Sequence, residues 1–121
     1  MFAAAKHLEN LLLIVDYNGI QSVGRSDELM GHASLAEKFK AFGWGVRKVN
    51  GLDIAAVVGA LREFPFEMRR PSAIIAKTVA GAGISFMEDQ VLWHYRVPSD
   101  EDLKRALAEL KEAPIHFGPV P

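Results

Sequence analysis

The residues of this 121-residue chain that could do chemistry fall into two stretches. In Asp16-Tyr17-Asn18-Gly19-Ile20 an Asn carboxamide oxygen and free backbone carbonyls follow a strongly apolar run. A hard cation such as Mg²⁺ accepts that kind of oxygen, together with phosphate oxygens and water. Two neutral oxygens cannot hold the ion alone, so a carboxylate elsewhere or a diphosphate has to complete the shell. Taken by itself, Asn18-Gly19 is most often only a turn. The second stretch, Lys77 to Pro98, holds Gly81-Ala82-Gly83 and also His94 between Trp93 and Tyr95. Phe86 stands where the third glycine of a dinucleotide fingerprint would be, and no capped helix follows, so a Rossmann site is excluded. Those glycines either let a loop turn tightly or admit a ligand close to the backbone. His94 is either a partly buried structural histidine beside aromatics or a functional one.

Other chemistries find no support. His7, His32 and His116 have no second His at metal-ligand spacing, and zinc is not indicated. Ser22, Ser26 and Ser85 have no evident base, which leaves a serine triad unsupported. Zero cysteines remove disulfides, thiolate nucleophiles and Cys-bound zinc, and fit a reducing, cytoplasmic setting. Fourteen basic against fifteen acidic residues argue against a nucleic-acid binder. No apolar run is long enough to span a bilayer, and no leader pattern opens the chain. Half of the residues are apolar and 24% charged, the composition of one packed domain.

The elements that position these stretches alternate between strand and helix. Leu11 to Val15 is continuously apolar, as in a strand covered on both faces. Ser34 with Glu37 forms a capping box ahead of Leu35, Phe39 and Phe42, and Gly43 stops that helix. Gly45 to Val49 reads as a strand, Asp53 caps a helix through Leu61, and Ala73 to Ala76 reads as a third strand. Ser99 with Asp102 repeats the capping box before Leu103, Ala106, Leu107 and Leu110. The expected fold is α/β, a three-layer parallel sheet with flanking helices. Residues 113–121 carry three of the six prolines and are expected to form an extended tail. Asp16 to Gly31 and Lys77 to Pro98 break the alternation, and both leave the carboxyl edge of the sheet, where ligands of open α/β sheets bind.

Several segments together resemble one family. Leu11–Gln21 (LLLIVDYNGIQ) resembles the second half of the thiamine-diphosphate motif of transketolases. Leu35–Trp44 (LAEKFKAFGW), Asn50–Asp53 (NGLD), Ala76–Glu88 (AKTVAGAGISFME) and Trp93-His94 continue the match in order, from about Ala3 to Glu112. The chain is most similar to the separate amino-terminal subunit of split transketolases. The resemblance implies a partial diphosphate-binding fold over residues 1–112. It also implies transfer of a two-carbon glycolaldehyde unit from a ketose to an aldose phosphate, with thiamine diphosphate and Mg²⁺, or Ca²⁺ in its place. Carried over residue by residue, Asn18 and the Ile20 carbonyl are metal ligands flanking Gly19. His94 sits near diphosphate and substrate as the catalytic candidate, and Lys77 lies on the cofactor side. A carboxyl-terminal, pyrimidine-binding subunit is the implied partner, in a homo- or hetero-oligomer.

The departures are as informative. The family's Gly-Asp-Gly half, which supplies the charged metal ligand, needs more than the 17 residues that precede Asn18. Tyr95 replaces a common glycine, Ser22 a larger apolar residue, and Ala80 and Ala82 frequent lysines. The expectation is therefore the carboxyl-terminal part of a diphosphate-binding domain, from a truncated or incompletely delimited gene, inactive alone and prone to associate through an uncovered strand edge. A non-catalytic remnant serving as an interaction module, or another thiamine-diphosphate enzyme such as deoxyxylulose-phosphate synthase, are the alternatives. The Lys77–Phe86 segment and Trp93-His94 favour transketolase over the latter.

Overall fold

A computed structural model describes residues 1–112, so the Pro-rich tail expected at 113–121 lies outside the described residues. The described residues form two compact units, the first comprising residues 1–17 and 32–78, the second 18–31 and 79–112.

The first unit is built on a parallel sheet. Strands β1 (Leu12–Tyr17), β4 (Gly45–Asn50) and β5 (Ser72–Lys77) are ordered β1-β5-β4. β5 is central, with Ser72 through Ala76 all buried, which is why Ala73-Ile74-Ile75-Ala76 reads as an unbroken apolar run. Alternation sends successive β5 side chains to opposite faces. Ile74 and Ala76 pack with Ala60, Leu12, Val49 and Phe66, and Ala60 belongs to helix α4 (Ile54–Arg62). Ile75 faces the other way, where helix α3 (Leu35–Ala41) begins. The sheet is thus flanked by helices on both faces. Buried Ser72 offers its hydroxyl oxygen to the Phe66 amide at 3.1 Å, leaving no orphaned polar group there.

The helix ends follow their caps. Asp53 accepts from the Ala56 amide at 3.2 Å and starts α4. Ser34 accepts from the Glu37 amide at 3.4 Å and starts α3, which forms the serine half of the expected capping box. The Glu37 carboxylate turns instead to Lys40, at 3.0 Å. Gly43, at φ +83°, then ends α3 in the left-handed region. A short helix α1 (Phe2–Ala5) opens the chain.

Among the described residues β1 pairs only with β5, and its apolar side chains are not covered on both faces as expected. Leu13 is 37% and Ile14 51% exposed. β4, the other edge, carries Arg47 paired with Glu63 at 2.8 Å and stacked over Phe66.

The second unit is made from the two segments that break the strand–helix alternation, closed by a helix. β2 (Ile20–Gln21) and β3 (Gly24–Arg25) form a small antiparallel hairpin, followed by helix α2 (Ser26–Met30). A 3-10 turn, Val91–His94, packs against β2, and helix α5 (Asp100–Glu112) closes the unit. The Ser99–Asp102 box is complete in both directions: the Asp102 amide donates to Ser99 Oγ at 3.1 Å and the Ser99 amide to Asp102 Oδ2 at 3.0 Å.

Candidate functional site

Asn18 follows the last residue of β1 directly and opens the hairpin. Its Oδ1 accepts the Ile20 amide at 2.9 Å, an Asx-turn that orients the carboxamide. One lone pair of that oxygen stays available to a further donor or cation. Gly19, at φ +80°, supplies the left-handed step, and its carbonyl accepts the Ser26 amide at 2.9 Å. This last bond decides the direction of Ile20. Ile20 is registered with Arg25, and a bond between the residues on either side marks them as a non-hydrogen-bonded pair. Both polar groups of Ile20 therefore point away from β3, on the same edge. Because Asn18 Oδ1 sits on the Ile20 amide, the carboxamide oxygen and the Ile20 carbonyl share that edge. The Ile20 side chain points inward and is 3% exposed, which fixes the strand against the unit.

His94 lies in the same unit, at the end of the 3-10 turn that packs on β2. The turn is anchored through its neighbour: Trp93 is half-buried, donates from Nε1 to the Phe86 carbonyl at 2.8 Å, and meets Phe86 edge-on. Arg96 lies over the Trp93 ring and Arg105 over Phe86. His94 itself is exposed. With the packing role taken by Trp93, the histidine is left for solvent or a ligand. Gly81, at φ +70°, could not carry a side chain, since an added Cβ would stand 2.7 Å from the Met87 carbonyl oxygen. The glycines of the loop are thus required at least for its tight turn.

Lys77 belongs to the first unit. It ends β5 beside Tyr17, with its ammonium 5.3 Å from the Tyr17 ring centroid. A cavity of about 350 Å³ at these strand ends is lined by Tyr17, Ser34, Ala36, Lys48, Ile75 and Lys77. Its lining combines two lysines with mostly apolar residues, which suits an anionic group attached to an apolar body.

Among the described residues no group of three or more His, Cys, Asp or Glu could hold a metal. The oxygens of Asn18 and Ile20 are hard and neutral, so they fit one side of an Mg²⁺ shell and leave the negative side to other groups.

Residues 1–113 match the family described as transketolase, thiamine diphosphate binding domain. The chain belongs to that family. It is 38% identical over 110 residues to one subunit of the apulose-4-phosphate transketolase of Actinobacillus succinogenes, covering 91% of this chain and 40% of that one. The corresponding apulose-4-phosphate transketolase polypeptide of Phocaeicola vulgatus is 33% identical over 105 residues, covering 87% and 37%. Transketolase from Campylobacter jejuni superposes with a TM-score of 0.78 at 26% identity, over 97% of this chain and 19% of its own. The chain therefore spans about two-fifths of the length of the two curated relatives. As a transketolase-type domain it has the expected parallel sheet with flanking helices. Sequence reading did not find Arg25 and Asp89, whose side chains meet across 64 positions; nothing in their local spacing signals the contact. No helix among the described residues is long and apolar enough to cross a membrane.

Proposed function

We propose that this chain supplies the neutral side of a magnesium–thiamine diphosphate site in a transketolase-type enzyme that moves a two-carbon unit from a ketose to an aldose phosphate. The observation that carries this reading is the shared edge of Asn18 Oδ1 and the Ile20 carbonyl, on the hairpin against which the His94 turn packs. Thiamine diphosphate, when bound, supplies the carbon nucleophile that accepts and passes on the two-carbon unit. This chain's part is to hold and orient. Asn18 and Ile20 offer the metal two oxygens, Gly19 lets the backbone approach, and His94 positions the diphosphate or moves a proton near the substrate. Lys77 offers a cation to the cofactor side. The acidic metal ligand, the sugar-phosphate contacts and the pyrimidine-binding half of the site come from other polypeptide, in a homo- or hetero-oligomer.

Calorimetry separates this shared site from a self-sufficient one. The chain alone is expected to show no tight binding of magnesium–thiamine diphosphate, because two neutral oxygens cannot offset the dehydration of Mg²⁺. In the assembled enzyme, Asn18→Ala is expected to weaken cofactor binding roughly 10-fold or more, in the range of a lost metal-site contact. Low-micromolar binding by the chain alone, or unchanged binding in the assembled Asn18→Ala enzyme, would overturn the proposal. The absence of an acidic cluster among the described residues keeps one second reading in view, a non-catalytic relative that acts as an interaction module. Cofactor binding that never appears in any assembly would favour it.

A further inference from the structure

The hairpin that presents Asn18 and Ile20 is short. Each strand has two residues, and a ribbon of that size does not hold its own geometry in water. Metal ligands, by contrast, have to be held to within about half an ångström of their working positions. Something outside the ladder has to fix this edge. The inward Ile20 side chain is one anchor. The other stands directly across the hairpin from it.

Arg25 is the register partner of Ile20. Its guanidinium grips one residue twice: Nη1 donates to the Asp89 carboxylate, and Nη2 donates to the Asp89 carbonyl at 3.1 Å. Asp89 is itself held in place. Its φ is +56°, a left-handed conformation that Asp tolerates better than most residues, and its amide donates to the Ala80 carbonyl at 2.9 Å. That bond closes the turn containing Gly81 and Gly83, the same loop whose Phe86 carbonyl receives Trp93 next to His94. The fork geometry of arginine suits this two-point grip, and lysine could satisfy one acceptor at a time. An exposed ion pair of this kind adds little to global stability. Its consequence is local: it ties the strand opposite Ile20 to the loop that carries the histidine turn.

We propose that Arg25 is a positioning residue: by gripping Asp89 from the position opposite Ile20, it holds the Asn18 and Ile20 oxygens on one edge for the cofactor's metal. This inference rests on the metal role proposed above for those two oxygens. It places a determinant of that site on a residue that touches neither metal nor cofactor.

Two measurements test it, the first on this chain and the second on the assembled enzyme, neither requiring activity. The first is amide hydrogen exchange by NMR without metal. Arg25→Ala is expected to speed exchange of the Ile20 amide at least about fivefold, with β5 amides unchanged, as in local rather than global opening. Arg25→Lys should fall between Arg25→Ala and the parent chain. Asp89→Asn, which keeps the shape and the carbonyl contact, should shift Ile20 in the same direction by less, and it decides the matter if Arg25→Ala fails to fold. The second measurement is cofactor binding by the assembled enzyme, read by calorimetry. Arg25→Ala is expected to weaken magnesium–thiamine diphosphate binding by about 10-fold, as for a residue that orients metal ligands from outside the shell. Ile20 exchange that ignores both substitutions overturns the positioning role and leaves the metal role standing. Cofactor binding that is unchanged in the assembled Asn18→Ala enzyme while Ile20 exchange still depends on Arg25 overturns the metal role, and with it the cofactor half of this inference.

Discussion

At the scale of single residues, polar side chains in the second unit act mainly by holding backbone. Asn18 turns the chain onto Ile20, Ser99 and Asp102 cap α5, and Glu109 collects Ser85 twice, from its amide at 2.6 Å and its hydroxyl at 2.9 Å. These two bonds, the amide's first, hold the Glu109 carboxyl below the usual glutamate range, since both donors favour the charged form. A carboxylate with a lowered folded pKa contributes stability above its unfolded value and loses it as pH falls through the folded one. The Ser85–Glu109 link is therefore intact at neutral pH and lost only in acid. Ser85→Ala is expected to move the Glu109 titration upward, toward that of a free glutamate. Carboxyl-carbon NMR across the acid range checks this, and an unmoved titration would show that the Ser85 hydroxyl adds nothing to the amide bond.

At the scale of elements, caps rather than composition decide where the helices begin. α4 starts at Asp53, whose carboxylate satisfies the Ala56 amide, and its apolar face then carries Ala60 onto Ile74 and Ala76. Asp53→Ala is expected to lower stability by about 1 kcal/mol, the ordinary loss for an N-cap. Urea unfolding measures it, with the slope unchanged if the folded structure is otherwise kept. Most of this level was legible in the sequence: Asp53, Ser34 and Ser99 mark their helices, and Ala73 to Ala76 marks the central strand. The hairpin at residues 20–25 was not. It has no alternating apolar pattern and no Asn-Gly or Asp-Gly in its Ser22-Val23 turn, and its register is set by Gly19 bonding Ser26 across it.

At the scale of the whole molecule, the two edges of the parallel sheet differ in kind. β4 is guarded by Arg47 with its Glu63 partner, whereas β1 exposes Leu13 and Ile14 and has no strand beyond it among the described residues. Charge on an edge discourages strand addition, and an apolar open edge invites it. The chain is therefore expected to self-associate with rising concentration, and Ile14→Lys to suppress that association. Sedimentation velocity over a concentration series reads both. Equal association of Ile14→Lys and the parent chain would place the contact elsewhere.

Family, fold class and the identity of the candidate ligands were determined by the sequence alone, because capping residues, buried-strand runs and the Asn18-Gly19-Ile20 and Trp93-His94 segments are local signals read within a few positions. What tertiary structure decided is how those groups are held. The common edge of the Asn18 and Ile20 oxygens depends on a cross-strand register, and the grip of Arg25 on Asp89 joins residues 64 positions apart. Such contacts are chosen when segments distant in the chain pack together, and no periodicity in either segment encodes them.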